Sequence, residues 1–87
     1  MTTGESSAIT IDDALKMFAE VFEDSEENVK ADTEREAIEG WDSLGALTLM
    51  AELDERFEIT LSEEELEDLS NISDLLDILR KNGVLQE

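Results

Sequence analysis

The residues of this 87-residue chain best placed to carry chemistry are Asp42-Ser43-Leu44, at the head of an apolar-periodic run that continues to Phe57. A serine nucleophile needs a base to take its proton, usually a histidine, and the chain has neither His nor Cys. Ser43 is therefore no triad nucleophile, and a hydrolase built on it would lack its base. Asp and Ser here also read as helix caps, since both accept hydrogen bonds from the unpaired N–H groups of a first turn. The chemistry that remains is modification by another enzyme, at a helix N-terminus whose dipole suits a phosphate.

Other chemistries fall away on composition and spacing. Without cysteine there is no disulfide framework and no thiolate metal site. The acidic run from Asp24 invites comparison with a calcium loop. An EF-hand begun there, however, has Val29 where Gly is needed and Arg35 where Glu is needed. The run reads instead as a solvated face. Asn-Ile-Ser at Asn71 matches a glycosylation sequon but, with no secretory signal at the N-terminus, reads as a cap. The formal net charge of −19 would repel nucleic acid and anionic membranes and favours partners with basic patches. It also opposes compactness, so the fold is expected to be marginal and sensitive to salt. No stretch is long and apolar enough for a transmembrane helix, and a cytoplasmic monomer is expected.

Four helical segments must position Ser43. Residues 1–8 are expected to be a disordered tail, with one domain over 9–87. Thr10 with Asp13 signals an N-cap, and Ile11, Ala14, Leu15, Phe18 and Phe22 form a helical stripe ending near Glu23. Residues 24–41 have no sustained period and form a long loop, with Val29, Ile38 and Trp41 as apolar pins. Trp41 reads as a loop anchor rather than a cofactor contact.

The central helix carries two stripes. Ala46, Leu49, Met50, Leu53 and Phe57 face a core, while Leu44, Leu47 and Ala51 lie on another line. Gly45 in its first turn costs up to about 1 kcal/mol relative to Ala, which implies a close approach by something. Phe57 to Leu61 alternates apolar and polar but has no partner strand, so an extended linker is expected with Ile59 and Leu61 turned inward. Ser62 with Glu65 reads as a capping box opening a short third helix that turns Leu66 and Leu69 inward. Asn71 with Asp74 opens the last helix, with Ile72, Leu75, Leu76 and Leu79 as its stripe and Gly83 past its end. The expected fold is all-α: a small four-helix bundle, three longer helices and one short, with a long loop between helices 1 and 2.

D-S-L followed by a two-stripe helix ending in E-R-F, an acidic segment and a final L-L-x-I-L helix resembles the acyl carrier protein family, over Ile11 to about Gly83. The resemblance implies 4′-phosphopantetheine on Ser43 through a phosphodiester, with acyl or aminoacyl groups riding as thioesters on its thiol. It implies a carrier rather than an enzyme, serving fatty-acid, lipid or secondary-metabolite synthesis. Its partners would be a phosphopantetheinyl transferase and loading, condensing or transfer enzymes with basic patches. Fatty-acid carriers of the family commonly place acids where this chain has Gly45 and Thr48. That difference favours a specialised, stand-alone carrier.

D-S-L-G also occurs in D-alanyl carriers, whereas the G-G-[HD]-S-L pattern of peptidyl carriers is only partly met by E-G-W-D-S-L. Leu44, Leu47 and Ala51, flanked by Asp42, Asp54 and Glu55, then read as a docking surface, apolar for affinity and acidic for steering. The bland alternative buries that stripe under Ile38 and Trp41. The alternative function is an acidic helical module that binds a basic partner without a cofactor.

Overall fold

The computed structural model describes residues 8–86, so the tail expected over residues 1–8 lies, all but Ala8, outside the described residues. Helix α1 spans Ile11–Val21, and the Thr10 hydroxyl accepts the Asp13 N–H at 3.1 Å, as the cap signal predicts. Ala14, Met17, Phe18 and Phe22 are buried. The helix stops two residues short of Glu23, which adopts φ 54° and turns the chain into the loop.

Helix α2 spans Ser43–Phe57 and buries Ala46, Leu49 and Leu53, with Met50 and Phe57 half-buried. It ends at Glu58, in left-handed backbone at φ 58°, and the Ile59 N–H returns to the Leu53 carbonyl at 3.2 Å. That closure satisfies carbonyls a helix end otherwise leaves free. The linker that follows is extended, and Ile59 and Leu61 are buried as expected.

Helix α3, Glu63–Asp68, opens with a complete capping box. Ser62 Oγ accepts from Glu65 N–H at 3.2 Å, and Glu65 Oε1 accepts from Ser62 N–H at 2.9 Å. Helix α4, Ile72–Lys81, is capped by the Asn71 side chain on Asp74 N–H at 2.9 Å. Asp74 differs from a box residue in reaching back to Ser70 N–H rather than to Asn71. Beyond α4, Gly83 takes φ 72°, the left-handed position that favours glycine.

The core gathers Phe18, Phe22, Leu49, Leu53, Ile72, Leu75 and Leu79 from the three longer helices, with Val29 inserted from the loop. The helical bundle therefore stands as expected, with one addition. Strands β1 (Ile9–Thr10) and β2 (Leu85–Gln86) pair in parallel and tie the two ends of the described chain together. Two-residue strands leave no periodicity to read, so this pairing comes from tertiary proximity. Among the described residues, no helix is long and apolar enough to cross a membrane.

The long loop is pinned by Val29, Ile38 and Trp41, all buried. Its charged side chains from Glu26 to Glu39 other than Arg35 are exposed, as a solvated face requires, while its backbone carries further structure. Arg35–Ala37 form a 3₁₀ turn, and Glu34 bridges Asn71 in antiparallel fashion. Arg35 N–H bonds Ser70 O at 2.8 Å, and Ile72 N–H bonds Thr33 O at 2.9 Å. The loop is thus stitched to the junction between α3 and α4.

Candidate functional site

Three backbones converge to set the head of α2. A Cβ on Gly45 would lie 1.9 Å from the Gly40 carbonyl oxygen, and one on Gly40 would lie 1.8 Å from the Phe22 carbonyl oxygen. The close approach implied by Gly45 is therefore internal. The loop before the helix sits between its first turn and the end of α1. No side chain larger than hydrogen fits either position without moving backbone.

Asp42 and Ser43 divide the capping roles. Asp42 is the N-cap, its Oδ1 accepting Gly45 N–H at 2.9 Å while its carbonyl accepts Ala46 N–H at 2.8 Å. Ser43 is thereby released from capping. It is the first helical residue, exposed, and its hydroxyl makes no hydrogen bond among the described residues. The N–H groups of Ser43 and Leu44 also lack partners among the described residues. A free hydroxyl beside unpaired donors at a helix start suits attachment of a phosphoryl group.

Ser43 borders a cleft of about 330 Å³ between α2 and α3, lined also by Arg35, Ala46, Leu47, Leu66 and Glu67. A smaller depression of about 240 Å³ lies on the side facing α1, lined by residues including Val21, Phe22, Gly40 and Leu44. Both are lined by carboxylates, Glu63 and Glu67 in the first and Glu20, Glu23 and Asp42 in the second, and the chain has no histidine to pair with Ser43 as a triad base. No group of three or more potential metal ligands forms among the described residues.

Leu44 is 73% exposed and Leu47 53%, with Ala51, Asp54 and Glu55 exposed on the same helix. Ile38 and Trp41 do not bury this stripe, because both are themselves packed in the core. Trp41 stacks on Phe22 with ring centroids 4.9 Å apart and carries the Arg35 guanidinium 5.5 Å from its own centroid. Its indole N–H is buried without a partner among the described residues.

Sequence reasoning passed over two residues of the site. Gly40 offered only its proximity to D-S-L as a signal. Arg35 sat within an acidic run and lacked any period. In the structure Arg35 stacks on Trp41, and its Nη1 donates to Leu66 O at 3.4 Å and Leu69 O at 3.2 Å.

Residues 12–79 match a family model described as a phosphopantetheine attachment site. No curated protein and no solved structure matches the chain significantly. The matched region runs from the first turn of α1 to the last turn of α4 and so includes the whole bundle. The free serine hydroxyl and the phosphate-compatible helix start fit the group that such a domain carries. The chain belongs to the phosphopantetheine attachment site family, and it is a carrier protein whose cofactor is covalently attached 4′-phosphopantetheine.

Proposed function

We propose that Ser43 is the attachment residue and that the protein carries acyl or aminoacyl thioesters on the arm to successive partner enzymes. The observation that carries this reading is the exposed Ser43 hydroxyl at the first position of α2, with Asp42 taking the capping role beside it. The arm supplies a thiol at its far end on which an acyl group is held as a thioester. The chain's own residues attach the arm, orient its base and present a surface to visitors. With no histidine in the chain, the proton of Ser43 leaves to a base on the transferase.

Leu44, Leu47 and Ala51 form the docking surface in this reading, with Asp42, Asp54 and Glu55 as its acidic surround. Their exposure supports it. Apolar contact gives affinity, and like-signed rim charges steer basic partners while leaving the interface quick to dissociate. A carrier must release at each visit. The reading extends to a cytoplasmic, monomeric carrier that is not itself an enzyme. Its pathway is specialised rather than general fatty-acid synthesis, since Gly45 and Thr48 add no charge near Ser43.

Incubation with coenzyme A and a phosphopantetheinyl transferase, followed by intact-mass measurement, tests the attachment. A mass gain that Ser43→Ala abolishes is the expected result. A gain retained in Ser43→Ala moves the site elsewhere. No gain with several transferases favours the acidic interaction module instead.

A further inference from the structure

The chain has six basic residues, and Arg35 is the one that lines the cleft with Ser43. Arg56 pairs with Glu52 at 2.8 Å, and Arg80 pairs with Asp77. Lys16 and Lys30 border a different depression, between α1 and the start of the loop, and Lys81 lies in the last turn of α4. The other charged residues of the Ser43 cleft, Glu63 and Glu67, are acidic. A phosphodiester placed on Ser43 would add negative charge to a chain already at −19, beside two carboxylates. Coulomb repulsion alone would drive it out of the cleft.

Arg35 brings the opposite charge to the same cleft. Its position is fixed three ways: stacked on Trp41, bonded through Nη1 to the last carbonyls of α3, and anchored by its own N–H to Ser70 O. Those contacts engage one edge of the guanidinium. Nε and Nη2 make no hydrogen bond among the described residues, which leaves a second donor edge. A planar fork held on an aromatic face and half-buried loses little entropy on binding. Its match to phosphate oxygens is geometric as well as electrostatic. Carbonyl capping alone would not call for arginine in an otherwise acidic stretch, since a neutral donor could serve.

We propose that Arg35 binds the phosphodiester of the arm and so holds the arm's root in the cleft between α2 and α3. This rests on Ser43 being the attachment residue. Arg35 is a positioning residue for the arm and takes no part in bond making.

The test is nuclear magnetic resonance on the apo and modified wild-type protein, following the Nε–Hε signals of the three arginines, Arg35, Arg56 and Arg80. Assignment comes from Arg35→Lys. On modification the Arg35 signal is expected to shift and its exchange with water to slow, while those of Arg56 and Arg80 stay in place. The ³¹P resonance of the modified protein should in turn move in Arg35→Gln. That difference should shrink at about 1 M salt, where the Debye length is about 3 Å. An Arg35 signal that moves no more than those of Arg56 and Arg80 overturns the proposal. Because the wild-type readout needs no substitution that loosens α3, it stands even if Arg35→Gln unfolds. Failure of the transferase to load Ser43 would be seen first, as a missing mass gain, and refutes the attachment reading rather than the role of Arg35.

Discussion

Asp42 and Ser43 are both helix-capping residue types, and the difference between them in the fold is one position. Asp42 holds extended backbone and closes on Gly45 N–H, so the hydroxyl that follows faces outward with no internal duty. Asp42→Ala should cost about 1 kcal/mol of stability in urea unfolding. Asp42→Asn, which keeps an acceptor, should restore most of it. At Gly45 two effects oppose each other. Alanine gains up to about 1 kcal/mol in helix propensity, but its Cβ would lie 1.9 Å from the Gly40 carbonyl oxygen. Backbone must move to relieve that contact, and overpacking of this kind costs about 1–3 kcal/mol. Gly45→Ala should therefore destabilise, with a lower urea midpoint at unchanged slope; a raised midpoint would show that the loop yields freely.

At the scale of elements, α2 is a helix with two apolar lines, one in the core and one in solvent. Substituting the outer line should separate binding from folding. Leu47→Asp removes an exposed apolar contact, so the melting temperature should stay near wild type while association with the transferase weakens. Glu55→Lys should slow association and flatten its salt dependence, read by stopped-flow mixing; unchanged rates would remove the steering role. Helix α3 is six residues long, too short to persist by itself, and depends on its ends. Its start is held by the Ser62–Glu65 box and its last carbonyls by Arg35. Ser62→Ala should raise amide hydrogen exchange within α3 well before it affects α4.

For the whole molecule, charge is the dominant variable. Twenty-five acidic residues against six basic ones give −19, and the described ion pairs Arg56–Glu52 and Arg80–Asp77 are exposed neighbours on single helices that contribute little. Self-repulsion is thus opposed mainly by the core. Raising ionic strength should raise the melting temperature of the apo protein, because exposed charges beyond a Debye length cease to interact. A melting temperature that falls or holds with added salt would mean that local attractions outweigh the net repulsion.

Helix starts, stripes and caps were legible along the chain because they depend on residues three or four apart. Thr10, Ser62 and Asn71 cap where their spacing says, and the stripes of α1, α2 and α4 face the core, with Ile11, Leu15, Met50 and Phe57 half-buried at its margin. The helix start at Asp42-Ser43 was legible for the same reason, although which of the two residues caps it was not. What the tertiary structure alone decided depends on residues far apart in sequence. The stacking of Phe22, Gly40 and Gly45, the β1–β2 pairing and the placing of Arg35 beside Trp41, Leu66 and Leu69 join segments that no local period links. Local hydrogen bonding writes itself into sequence as spacing, whereas long-range contact leaves only single residues whose meaning appears when the chain has closed on itself.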